Sequence, residues 1–218
     1  MVKEGQKSTK DAYSDPQIVA GYIEANAKNP KLFDAVERFV KTLPGNRVID
    51  IGCGPGHDAY HFADLGFDVV GVDYSREMIR AAQTLRIVEH PPQFRVGDMM
   101  EVGEMFDEDS FDGAWISASL LHIPEDDVPQ VLQGVRKVVK NGGKVYIGLK
   151  GGTQGAQLVE ESKYQKPMKR EFIFWEQGNF QRMVESMGYT VDSVQETEGG
   201  QTGGQSTTWL NFYLQVNK

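Results

Sequence analysis

Positive charge, cysteine and long apolar runs are the three things this chain has little of. Its 218 residues hold 31 Asp and Glu against 23 Lys and Arg, a formal net charge of −8. That balance argues against a broad basic surface for nucleic acid; a local cluster of cations stands at Lys163, Lys166, Lys169 and Arg170. The single cysteine, Cys53, excludes an intramolecular disulfide and fits a reducing compartment. No stretch approaches the roughly 20 apolar residues that span a bilayer. The opening MVKEGQKSTKDAYSDPQ lacks the apolar run of a secretory signal. These absences predict a cytoplasmic location, with neither a membrane nor a nucleic-acid partner.

What is present is ordinary for one globular domain: 39% hydrophobic and 25% charged residues. Residues 16–42 read as helical, with Ile18, Val19, Tyr22 and Ile23, then Leu32, Phe33, Val36, Phe39 and Val40, at helical spacing around an Asn29-Pro30 break. Strands then alternate with helices. Strand runs fall at Arg47–Ile51, Phe67–Asp73, Gln93–Val96, Phe111–Ser117 and Lys144–Leu149. Helical runs fall at His57–Leu65, after the capping Ser75, and at Val128–Val139, which Asn141-Gly142-Gly143 closes. Alternation of this kind predicts a doubly wound α/β fold, Rossmann-like, with a mostly parallel sheet covered on both faces. Residues 150–170 read as a mobile excursion. Beyond them come a short apolar stretch (Glu171–Trp175), a helix (Glu176–Met187), and strand runs at Tyr189–Gln195 and Thr207–Val216. The EGGQTGGQS between those runs reads as a flexible connection, so the last pair should form an antiparallel hairpin at the sheet edge.

In such sheets ligands sit beyond the carboxyl ends of the strands. The turn Asp50-Ile51-Gly52-Cys53-Gly54-Pro55-Gly56 lies there, and its glycines permit close backbone approach. It departs from the dinucleotide pattern G-x-G-x-x-G, because the third glycine comes one position early and His57 takes the glycine slot. Asp50 beside the turn would repel a pyrophosphate and favour a ligand carrying an ammonium group. Asp73 ends the second strand, where an acid can bind both hydroxyls of a ribose. Asp98 ends the third, and a carboxylate accepts hydrogen bonds such as those of an adenine amino group. Ammonium, ribose and adenine together describe one ligand.

This constellation resembles the class I S-adenosylmethionine-dependent methyltransferases, over roughly residues 13–150. VIDIGCGPG, VVGVDYSREMI, FRVGDMMEV, FDGAWISASLLHIP and VRKVVKNGGKVYIG follow in the order that family shows. The resemblance implies a sheet of seven strands with an N-terminal helical lid over residues 1–43, a cofactor-binding core over 44–150 and a substrate-side segment over 151–218. It implies S-adenosylmethionine as cofactor and S-adenosylhomocysteine as product. Asp50 and the Gly52, Cys53, Gly54 and Gly56 turn would hold the methionine moiety. Asp73 would hold the ribose, Tyr74 and Met78 the faces of the adenine, and Asp98 with the Met99 N–H its polar edge. Ser117 would approach the methionine end, and Tyr13 and Tyr22 would belong to the lid.

Methyl transfer from a sulfonium mainly needs alignment, and positioning alone can contribute about 7–11 kcal/mol. A base is required only if the nucleophile must lose a proton. His122, in SASLLHIPEDD after the fourth strand, is the candidate base; packing in the pocket wall is its plainer role. His57 and His61 have a zinc-compatible spacing but lack the glutamate of H-E-x-x-H and a third ligand, so no metal is expected. The absence of a further domain, and of an Asn-Pro-Pro-Tyr-type motif, points to a small-molecule acceptor. Two alternatives share the turn: a non-catalytic binder of the same cofactor, and a nicotinamide-dependent oxidoreductase that would leave Asp50 and Asp98 without a role.

Overall fold

The computed structural model describes residues 4–26, 33–162, 164, 166–202 and 205–218. The Asn29-Pro30 break, Leu32, Lys163, and Gly203-Gly204 lie outside the described residues. Three helices come first: α1 (Glu4–Ser14), α2 (Pro16–Asn26) and α3 (Phe33–Val40). The alternating core follows as β1 (Arg47–Ile51), α4 (His57–Asp64), β2 (Asp68–Asp73), α5 (Arg76–Thr84), β3 (Gln93–Val96), α6 (Val102–Met105), β4 (Phe111–Ser117), α7 (Val128–Val138) and β5 (Val139–Gly151). Then come β6 (Gly155–Glu161), β7 (Met168–Trp175), α8 (Gln177–Ser186), β8 (Tyr189–Thr202) and β9 (Gln205–Val216).

The core strands are parallel in the order β3-β2-β1-β4-β5. β1 and β4 are nearly continuous apolar runs because both their faces are covered. One face packs Ile49, Ile51, Phe111, Ile116 and Ile147 against the apolar stripe of α7, which is Val128, Val131, Leu132, Val135 and Val138. The other packs Phe39, Phe62, Trp115 and Tyr146, with the last two rings stacked at 3.8 Å. Asn141-Gly142-Gly143 does not lie in a loop outside the sheet. It makes a bulge within β5, whose register with β4 jumps from Phe111↔Val139 to Gly113↔Lys144.

The edge differs from the expectation in two ways. The closing hairpin is antiparallel as expected, with β9 on β5, but its strands continue through Thr202 and from Gln205, into the segment read as a flexible connection. The excursion at 150–170 is mostly strand: β6 and β7 form a second antiparallel hairpin and bring the sheet to nine strands. β7 meets β5 at Lys150↔Phe174 and Gly151↔Trp175. At those residues β9 already holds one edge of β5, so β7 takes the other, just past the last β4 pairing at Ser117↔Gly148. The added hairpin therefore stands above the carboxyl ends of the parallel strands, beside the site.

Only the resemblance implied helix over residues 1–43; the residue pattern does not mark α1. Its buried positions, Gln6, Thr9 and Ala12, are three apart and two of them are polar. Hydrogen bonds fix it in place of an apolar stripe: Glu171 N–H donates to Thr9 Oγ1 (2.8 Å), and Ser75 Oγ donates to the Tyr13 carbonyl (2.6 Å).

Candidate active site

At the carboxyl end of β1 the chain must turn without covering the sheet. Gly52 and Gly54 take φ of 75° and 51°, in the left-handed region. A Cβ on Gly52 would lie 2.2 Å from Ser119 Cβ, so glycine is required there by space as well as by conformation. Gly52 and Cys53 N–H both donate to the Val72 carbonyl (2.7 and 3.0 Å), tying the turn to β2. Gly54 N–H donates to Asp73 Oδ2 (2.9 Å), while Asp73 Oδ1 accepts from Ser75 N–H (2.8 Å). Ser75 Oγ in turn accepts from Met78 N–H and caps α5 (3.1 Å). Asp73 is thus fixed at the end of β2. Burial pushes its carboxyl up to about 6 despite the Ser75 and Gly54 N–H bonds.

These elements border a cavity of about 90 Å³. Of the residues expected to hold a ligand, Tyr22, Gly52, Gly54, Asp73, Tyr74, Met78, Asp98, Met99 and Ser117 line it together, and His122 lines it as well. Asp50, Cys53 and Gly56 do not. Gly56 precedes α4, with the Phe94 ring where a side chain would stand. Cys53 is buried, and burial pushes its thiol well up. Asp50 is only 3% exposed, and its Oδ2 has no hydrogen-bond partner among the described residues. Burial, then the charges of Asp58 and Asp73, push its carboxyl well above the usual range. His57 opens α4 without reaching the cavity; burial lowers its imidazolium.

The cavity also contains residues that sequence reasoning missed: Gln6, Thr9 and Lys10 of α1, together with Ala118, Ser119 and Ile123. Lys10 Nζ sits 2.5 Å from Asp98 Oδ2 and 5.5 Å from the Tyr74 ring centre. Asp98 Oδ1 accepts from Met100 N–H (3.1 Å). Ser119 Oγ donates to the Ile51 carbonyl (2.7 Å), joining the β4 loop to the glycine turn. The serines of SASLLH were a visible signal for this wall; no apolar period in EGQKSTKDAYS marks Gln6, Thr9 or Lys10 as lining residues.

The opposite wall is aromatic. Tyr13 packs edge-on against Tyr22 (5.9 Å) and His122 (5.7 Å), and Tyr22 against Tyr164 (5.5 Å). His122 Nδ1 lies 2.7 Å from the Glu171 carbonyl oxygen. A carbonyl only accepts, so Nδ1 carries the proton and Nε2 keeps its lone pair. Burial pushes the imidazolium down to about 3, with Arg170 and Lys150 adding to the effect against the Glu171 bond, so the ring is neutral. The cluster of cations read from the sequence is not a free patch: Lys166 pairs with Asp15, Lys169 with Glu160, and Arg170 with Glu161.

Residues 48–143 match the family model described as a methyltransferase domain. Over that stretch the chain is similar to S-adenosylmethionine-dependent methyltransferases. It is 25% identical over 210 residues to 2-methyl-6-phytyl-1,4-hydroquinone methyltransferase of Synechocystis, covering 93% of this chain and 64% of that one. A methyltransferase structure from Methanosarcina mazei superposes with a TM-score of 0.73 at 18% identity, over 84% of this chain and 97% of that one. The Haemonchus contortus phosphoethanolamine N-methyltransferase 2, in complex with phosphomonomethylethanolamine and S-adenosylhomocysteine, gives 0.75 at 16% identity, over 100% of this chain and 61% of that one. The chain spans less than two thirds of the length of the curated relatives it matches. Among the described residues, no helix is long and apolar enough to cross a membrane.

Proposed function

We propose that this chain transfers a methyl group from S-adenosylmethionine to a small-molecule acceptor by in-line displacement. The observation that carries the reading is the convergence of Asp73, Asp98 and the Gly52–Gly54 turn in one cavity whose other wall bears neutral His122. The residues fit the cofactor. Asp73 has each oxygen fixed by one N–H and retains lone pairs for ribose hydroxyls. Behind the turn, the orphaned Oδ2 of Asp50 is an unused acceptor, and an ammonium group nearby would favour its ionised form. Tyr74 and Met78 offer faces for a flat base, and Asp98 and Met99 its polar edge.

Bound there, the cofactor supplies a methyl group already activated by the adjoining sulfonium charge. The protein's own task is then alignment and the exclusion of water. Tyr13 and Tyr22 line the cavity from the N-terminal side, which supports a lid formed by α1 and α2 over the 44–150 core, while α3 packs on the sheet and β7 backs the acceptor side. His122 Nε2 accepts a hydrogen bond from an acceptor O–H or N–H, with the Glu171 carbonyl holding the ring in the required tautomer; it takes the proton where a bound anion offsets the burial that disfavours the imidazolium. Ser117 faces the space between the two sides. The named relatives act on or carry hydroquinone and phosphorylated amine compounds, which supports an acceptor of that size. A reducing, cytoplasmic setting suits the single buried thiol.

The test is to incubate the protein with S-adenosylmethionine and a panel of small acceptors and follow the mass of each by spectrometry. Gain of one methyl on an acceptor, with equal release of S-adenosylhomocysteine, supports the reading. Cofactor binding without turnover across the panel favours the non-catalytic alternative.

A further inference from the structure

Among the described residues, the buried charged side chains are Asp50, Asp73, Asp112, Lys150 and Arg170. They are not mixed. Asp50 and Asp73 belong to the glycine-turn side of the cavity, and Asp112 lies at the far end of β4, where Lys140 neutralises it (2.7 Å). Arg170 lies beside His122, and the charges of both cations disfavour the His122 imidazolium. Arg170 and His122 each pack against the Phe172 ring, at 4.9 Å in both cases. Lys150 holds its ammonium 4.4 Å from the Trp209 ring centre, and its strand position pairs with Phe174, two residues along β7 from Phe172.

Arg170 is 7% exposed. Its Nη1 donates to the Tyr13 hydroxyl (2.6 Å) and its Nη2 to Glu161 Oε2 (2.6 Å). Its Nε is buried with no hydrogen-bond partner among the described residues. A guanidinium N–H taken out of water and left unpaired is unfavourable, and planar guanidinium edges match the two oxygens of a carboxylate or phosphate. The Tyr13, Tyr164 and Phe172 rings surround the group at 5.7, 5.8 and 4.9 Å, which would shield a bound anion from water. Tyr13 also lines the cavity, so Arg170 stands immediately behind the wall that an acceptor would face.

We infer that the acceptor carries an oxyanion, a carboxylate or a phosphate monoester, which docks on Arg170 behind Tyr13 and His122 while its nucleophilic atom faces the methyl donor. This rests on the methyl-transfer reading and names the acceptor's chemical class. Glu161 is the internal competitor for the same guanidinium. The cavity is polarised as a result, with acids toward the cationic donor and buried cations toward the acceptor.

The test is calorimetry on the full chain saturated with S-adenosylhomocysteine, titrated with phenyl phosphate, benzoate and neutral phenol. At least one anionic probe is expected to bind roughly tenfold or more tightly than phenol. Whichever anion wins identifies the oxyanion. Arg170→Gln should abolish that preference while S-adenosylhomocysteine affinity stays within about twofold. Glu161→Gln, a partly exposed change that does not touch the core, should tighten anion binding severalfold. Equal binding of all three probes, or a preference that survives Arg170→Gln, overturns the inference, as does an anion affinity that Glu161→Gln leaves unchanged or weakens. Failure to bind S-adenosylhomocysteine at all overturns the methyl-transfer reading itself, so the two failures are separate.

Discussion

The two halves of the cavity are built by opposite means. The cofactor half is made of short loops at the ends of parallel strands, and its groups are fixed within those loops: Asp73 by Ser75 and by Gly54 of the adjacent strand end, and Asp98 by Met100. The acceptor half is made of elements far apart in the chain. His122 is held by Glu171, Tyr13 by Arg170, and Thr9 by Glu171. Two consecutive residues of β7 thus organise both the candidate base and the lid tyrosine. One half is a property of the shared sheet. The other depends on an added hairpin and a polar helix, which can change without disturbing the sheet. Such a division lets one donor serve many acceptors.

If the halves are separable, changes in one should leave the other's readout intact. The largest effect is expected from His122→Gln, which removes the basic Nε2: kcat should fall roughly 10²–10⁴-fold if the acceptor loses a proton, with cofactor affinity unchanged. Asp73→Ala should do the converse. It removes charged hydrogen bonds and leaves the Gly54 and Ser75 N–H groups unpaired, so S-adenosylhomocysteine binding by calorimetry should weaken about 100-fold or more. Acid should produce a milder version of the same loss. Asp73 titrates at about 6 in the free protein, and ribose hydroxyls favour its ionised form. Affinity should therefore be constant above that pH and fall up to about tenfold per unit below it. The sign for folding is opposite. A carboxyl whose pKa is raised from 3.8 to about 6 favours the native state at low pH, and this contribution is lost as pH rises between those values. Ligand-free stability and cofactor affinity should accordingly move in opposite directions across that window. The smallest effect belongs to one of the contacts that cross the halves. The Lys10–Asp98 pair is partly exposed, at 32% and 26%, and such pairs are worth about 0–1 kcal/mol. Lys10→Met should tighten cofactor binding by up to about fivefold, measured by the same calorimetry; a loss of affinity would mean that Lys10 assists the cofactor.

The cofactor half was legible because its logic is local. Glycines two apart after a strand, and an acid at each of three strand ends, carry their meaning in residues that adjoin. Asp50, Cys53 and Gly56 lie outside the cavity lining: Asp50 and Cys53 are buried behind the turn, and Gly56 packs against the Phe94 ring. The acceptor half was largely illegible. In α1, Gln6 and Thr9 are buried by hydrogen bonding, so no apolar stripe marks the helix. In β6, Leu158 and Val159 adjoin and are followed by Glu160 and Glu161, and Leu158 is itself exposed, so the run carries no clean period. In β7, only the apolar Phe172–Trp175 end stood out, while Met168-Lys169-Arg170 reads as loop. The His122–Glu171 bond spans 49 residues and the Arg170–Tyr13 bond 157; neither leaves a local trace.

The central claim is that the acid-lined half holds S-adenosylmethionine. Its most direct test is calorimetric titration of that compound into the natively folded protein at a pH well above 6. The account expects saturable one-to-one binding in the micromolar range. Absence of binding by folded protein would contradict it.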